Sequence, residues 1–274
     1  MWQSYLRNWL WGAAVNSVQQ RAQSAAQLHD NPSQPGHCDV GVAFALDQEA
    51  IRLVDRLSGT RTLQAAGFVV RTGSVAGKTL AVVSCGVGQA AARKATEALI
   101  VAHRPKLVIS AGFAGGLQAQ VRRGDVVMVQ AVLHNGQRLS LGVKSAPAAK
   151  RVYLGDLVTV DKLVTSPEAK QILGEQTGAM AVDMETFAVV DVCRELGVPC
   201  LGVRIISDAV GDALPADLGQ LINKPTRTRQ VSFALGMLLR RPSRAKDLWK
   251  LKEDALDHSE QLAKFLVELI KQLP

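Results

Sequence analysis

The sequence predicts an α/β fold, a three-layer sandwich of helices around a mixed, largely parallel sheet, and three observations carry that prediction. Short apolar runs of strand length alternate with longer segments of helical periodicity along most of the 274 residues. The apolar runs are continuous rather than alternating, the pattern of strands covered on both faces. Glycine-rich stretches follow two of them, at Gly86-Val87-Gly88 and at Gly112-Phe113-Ala114-Gly115-Gly116.

Taken in order, Trp2, Leu6, Trp9, Leu10, Ala13 and Ala14 recur at helical spacing and predict a short amphipathic helix. The linker Asn31-Pro32-Ser33-Gln34-Pro35-Gly36 ends that unit, so residues 1–37 form an appendage and 38–274 the domain proper. The run 39–46 (DVGVAFAL) reads as a buried strand, followed by a helix through Leu57. Runs 68–71 and 79–84 read as paired strands around Gly77-Lys78. An Ala-rich helix to about His103 opens at Gly86-Val87-Gly88, and the strand 106–111 delivers the chain into the second glycine stretch. Further strands are expected at 125–133, 151–158, 179–182 and 200–207, and helices at 167–176, 184–196, 226–239 and 244–270. No internal repeat and no second core is evident.

Composition narrows the function classes. At 47% hydrophobic and 20% charged residues, disorder, collagen-like repeats and coiled coil are excluded. No run approaches the roughly 18 apolar residues of a membrane span. An apolar run from Trp9 to Val15 at the low limit of about 7 residues and a vague cleavage site near Ala25 make a poor signal peptide. Cys38, Cys85, Cys193 and Cys200 form no CxxC pair, so reduced thiols and a cytoplasmic location are expected. The net charge of +8 is uneven: 224–250 holds eight basic residues against Asp247, and 1–29 holds Arg7 and Arg21 with no acid. These basic ends suit an anionic membrane surface or a solvated helix face. Nucleic acid is disfavoured because stacking aromatics are nearly absent from the basic stretch near the C-terminus.

Ligands of open α/β sheets gather at the carboxyl ends of strands. Glu49, Glu185 and Asp208 each follow such a run. Any one of them is also what a helix N-terminus uses to offset its dipole. Three of them beside glycine segments point to a site. The glycines, Gly86 and Gly112 included, match neither a dinucleotide fingerprint nor a P-loop, but they allow close approach of backbone to a sugar, base or anion. The five histidines have no ligand spacing, so neither metal nor cofactor is expected.

The segments Ser110-Ala-Gly-Phe-Ala-Gly-Gly-Leu117, Ala181-Val-Asp-Met-Glu-Thr186 and Val203-Arg-Ile-Ile-Ser-Asp208, with the opening 40–49, resemble the purine nucleoside phosphorylase and methylthioadenosine/adenosylhomocysteine nucleosidase superfamily over about 39–212. A looser resemblance over 160–170, 177–185, 213–215 and 238–242 is to its hopanoid-associated branch, whose members remove adenine from adenosylhopane. The resemblance implies a nucleoside phosphorylase-like fold, a nucleoside substrate and a homodimer. It also implies roles. Asp208 protonates the purine at N7, which asks for burial or neighbouring negative charge to hold its proton. Glu185 binds the ribose hydroxyls above Met184, and Glu49 activates water. Arg204 lies near the ribose, or serves as a structural ion-pair partner, and Ser207 orients Asp208. Leu163 and Val164 match a backbone stretch that meets the base.

Phosphorolysis needs arginine and backbone donors for phosphate. Here the opening is Leu46-Asp-Gln-Glu49 and no arginine precedes the glycine segment at 112–116, so hydrolysis is favoured over phosphorolysis. Two features depart from the nucleosidase pattern: Phe113 replaces a small hydroxyl residue among the sugar contacts, and the loop 134–149 is short. An apolar flap around Leu214, Pro215 and Leu218 would accept a hydrophobic 5′ substituent. The expectation from the residues and the resemblance together is an adenine-releasing nucleosidase. A phosphate-dependent phosphorylase and a non-catalytic nucleoside-binding or membrane-adaptor protein are the alternatives.

Overall fold

Every residue of β1 (Val40–Phe44) is buried, as a continuous apolar run predicts. In the computed structural model, which describes residues 37–65, 68–147, 149–214 and 245–273, β1 lies between two parallel neighbours. The expected amphipathic helix near Trp2, the helix at 226–239, Pro215, Leu218 and most of the basic stretch 224–250 lie outside the described residues.

The remaining strands are β2 (Ser58–Ala65), β3 (Phe68–Val75), β4 (Lys78–Ser84), β5 (Leu107–Gly116), β6 (Val126–His134), β7 (Gln137–Ser140), β8 (Val152–Thr159), β9 (Ala181–Asp183) and β10 (Cys200–Asp208). The pairings β4–β1–β5–β10 run parallel in succession. β10 then pairs antiparallel with β6, β6 pairs parallel with β8, β8 with β9, and β9 returns antiparallel to β5, so five strands close on themselves. The helices are α1 (Asp47–Val54), α2 (Gln89–His103), α3 (Pro167–Thr177), α4 (Thr186–Glu195) and α5 (Ala245–Lys271). α1 packs on α5 and α2 packs on α4, giving the two helical layers that flank the sheet.

Three strand features differ from the sequence expectation. β2 and β7 are polar, largely exposed strands, and β2 lies at the end of the sheet; with little buried face they carry no apolar run to read. The glycines at 112–116 are not a loop: β5 continues through them to Gly116. The side of β5 that pairs with β1 ends at Ser110, and β9 takes up that side only at Gly115. The fork left between those two partners is where the candidate site lies. All four cysteines are buried as free thiols. No described helix is long and apolar enough to cross a membrane.

Candidate active site

Glu49 fills the fork. It stands in the first turn of α1, where its Oε2 accepts from Leu46 N at 2.8 Å and so satisfies the amide at the start of the helix. Its Oε1 accepts from Phe113 N at 2.8 Å, supplying a partner within the stretch that β1 has left and β9 has not reached. Gly112 makes this possible, because a Cβ there would stand 2.9 Å from Oε1. Burial pushes the Glu49 carboxyl upward, opposed by the Phe113 and Leu46 amides and by the Arg204 charge.

Glu185 follows β9 and Met184. Its Oε1 accepts from Gly88 N at 2.7 Å, at the start of α2, where Gly88 adopts φ +92°. Burial, with the Asp183 charge added, raises Glu185 to about 8 against the opposing Gly88 amide. Glu49, Glu185, Ser110, Gly112, Phe113 and Arg204 line one small pocket. Met184 is buried beside Glu185. Gly86 closes the end of β4 by donating to Ala45 O at 2.9 Å with φ +88°.

Arg204 is held on every side. Its Nη2 donates to Asp183 Oδ2 at 2.9 Å, Ser110 Oγ at 2.9 Å and Thr186 Oγ1 at 2.6 Å, and its Nη1 donates to Ser110 O at 2.8 Å. The structural ion-pair role raised for Arg204 is therefore present, with its charge still felt at Glu49. Asp183 closes the turn into α4 by accepting from Thr186 N at 3.0 Å, and its Oδ1 accepts from Thr159 Oγ1 at 2.7 Å.

Asp208 ends β10. A bulge between Ile206 and Asp208 re-aims it toward Gly115, where a Cβ would stand 3.1 Å from Oδ2. Gly112 and Gly115 thus admit Glu49 and Asp208 three residues apart, roughly 10 Å along one strand. Ser207 Oγ donates to Asp208 Oδ1 at 2.6 Å, the orienting contact expected of it. Of the two surroundings expected for Asp208, burial or a neighbouring negative charge, burial is present, and the charge in contact with it is positive. Lys170 of α3, wholly buried, is in ion-pair contact with Oδ2. Val164 is half-buried against Leu117 and Val158 in the β8–α3 connection, and Leu163 precedes it there. Phe113 turns its ring edge-on to His258 of α5, with centroids 6.0 Å apart.

The phosphorylase superfamily model matches residues 39–152 and 139–238. This chain belongs to that superfamily. Within it, the chain is similar to the 5′-methylthioadenosine/S-adenosylhomocysteine nucleosidases of Shewanella halifaxensis (27% identical) and Shewanella putrefaciens (28% identical), each over 212 residues that cover 68% of this chain and 92% of the relative. The fold is shared with the corresponding nucleosidase of S. pneumoniae (TM-score 0.66, 18% identity, 86% of this chain and 99% of that one). It is also shared with a futalosine hydrolase mutant of Helicobacter pylori (TM-score 0.61, 18% identity, 85% and 99%). Glu49, Glu185 and Asp208 are the carboxyls expected from the sequence, whereas Lys170 was not anticipated. Its trace in the sequence is a lysine four residues before Gly174 in a helix whose Ile172 is exposed, so polarity along α3 is inverted.

Proposed function

We propose that this chain is an N-ribosyl hydrolase that cleaves the glycosidic bond of a 5′-substituted adenosine and releases adenine, with 38–274 as its catalytic domain. One observation carries the reading: the pocket at the fork holds the buried Glu49 and the half-buried Glu185, and among the described residues its one basic side chain, Arg204, is already committed to Asp183, Ser110 and Thr186. A phosphate at that place would meet carboxylate and, among the described residues, find no spare arginine, whereas water suits it.

In this reading Asp208 passes a proton to N7 as the C1′–N9 bond breaks and its electron pair goes to the base, so adenine leaves neutral. Glu49 takes a proton from water as the water oxygen bonds to C1′. That step needs ionised Glu49, whose carboxyl is raised by burial; activity therefore falls with acid at a pH above the ordinary carboxylate range. Glu185 exchanges hydrogen bonds with the ribose hydroxyls, Met184 packs against the sugar, and Leu163 and Val164 offer backbone to the base. Phe113, Gly86 and Gly112 shape the walls.

Full-length protein offered adenosine, methylthioadenosine, adenosylhomocysteine and adenosylhopane is expected to release adenine from at least one 5′-substituted member. Asp208→Asn should lower kcat by at least about 10²-fold. No adenine from any of the four, or full activity in Asp208→Asn, overturns the reading.

Partners follow from the same proposal: a second copy in a homodimer, and an anionic membrane surface at the cytoplasmic face. The aromatic, basic start of the sequence (Trp2, Leu6, Arg7, Trp9, Leu10) and the Arg240-Arg241 region support the latter. Co-sedimentation with anionic vesicles should drop on deletion of residues 1–30, and sedimentation unchanged by that deletion would remove the membrane role.

A further inference from the structure

Lys170 is a wholly buried cation beside the proposed acid, and the mechanism above does not use it. It sits on the inner face of α3 with Gly174, whose missing Cβ lets the helix approach Leu117 O; a Cβ would stand 2.7 Å from that carbonyl. Its Nζ donates to Ala209 O at 3.0 Å and Asp212 O at 2.8 Å, which leaves its charge to Asp208 through the ion contact. Burying a lysine is costly, and an apolar side chain would fill the same space more cheaply. The two carbonyls belong to the turn that follows Asp208, so one side chain grips both the acid and the turn beyond it.

Other charged or titratable groups are in play near this carboxyl. Arg123 pairs with Asp212 at 2.6 Å, Asp212 Oδ2 accepts from Ala209 N at 2.7 Å, and both Arg123 and His258 feel the Asp208 charge. Arg123 is spoken for by Asp212 and Asp254, whereas Lys170 contacts Asp208 itself.

We propose that Lys170 is a positioning residue that acts through Asp208, holding its carboxyl in place and compensating the negative charge left on it when its proton goes to the base. This rests on the reading of Asp208 as the acid. The transfer balances: the proton moves from Asp208 to N7, the electron pair of the C1′–N9 bond moves to the base, and the carboxylate formed in a dry site faces an ammonium already in contact. No reorganisation is needed at that moment.

The test compares kcat and KM for adenine release by full-length protein carrying Lys170→Gln, Lys170→Arg, Asp208→Asn, or Lys170→Gln with Asp208→Asn. Gln keeps an N–H donor for the turn carbonyls but loses the charge; Arg keeps the charge. Lys170→Gln should lower kcat by on the order of 10²-fold with little change in KM. Lys170→Arg, which keeps the charge, should recover most of the wild-type kcat. In the Asp208→Asn background, Lys170→Gln should cost nothing further, because a residue acting through Asp208 has nothing left to act on. A wild-type kcat in Lys170→Gln, a loss in Lys170→Arg as large as in Lys170→Gln, or an equal loss from Lys170→Gln in both backgrounds overturns the proposal and leaves Asp208 as the acid. Wild-type rates in Asp208→Asn alone would instead overturn the assignment of the acid.

Discussion

Glu185 shows how a single carboxyl couples the site to stability. Burial and the Asp183 charge raise it from 4.5 to about 8, so between those values the folded chain holds a proton that the unfolded chain has released. Stability from this group is then fully present below pH 4.5 and falls as pH rises toward 8. Glu185→Gln should therefore flatten the pH dependence of Tm and melt above wild type at pH 8 to 9, each kcal/mol being worth about 2–4 °C for a chain of this size. Thermal melts from pH 5 to 9 check this, and parallel curves for the two proteins would contradict it. The three carboxyls were legible in the sequence because each follows an apolar run, where strand ends collect ligands. Lys170 was not, because periodicity assigns a lysine on a helix to solvent, while α3 buries Lys170 and Gly174 and leaves Ile172 53% exposed.

At the scale of elements, α3 depends on a glycine that helix propensity disfavours. Alanine at 174 would gain about 1 kcal/mol of propensity, yet its Cβ would press on Leu117 O at 2.7 Å in a place where backbone must shift. Overpacking of this kind typically costs about 1–3 kcal/mol, so Gly174→Ala should lower the urea midpoint. A midpoint raised by the substitution would contradict the close packing described. Most helices and buried strands were legible, because apolar runs such as VGVAF of β1 and LVIS in β5 are covered on both faces. β2 and β7 were not, since Ser58–Ala65 and Gln137–Ser140 are mostly exposed and carry little apolar pattern. The extension of β5 was hidden by glycines, which read as a turn but here clear space for Glu49 and Asp208.

For the whole molecule, the fork in the sheet is what brings distant residues together. β1 delivers Glu49, β9 delivers Glu185 through Met184, β10 delivers Asp208, and β5 runs past all of them as the common wall. The strand order that creates the fork is a long-range property, so the sequence named the carboxyls without showing that Phe113 N donates to Glu49. The central claim is that water, rather than phosphate, ends on the sugar. Reaction in ¹⁸O-labelled water, with and without phosphate, tests it most directly, by mass analysis of the sugar product alongside adenine. The account predicts one labelled oxygen at C1′ for each adenine released, at a rate indifferent to phosphate. An unlabelled sugar 1-phosphate, formed only when phosphate is present, would contradict it.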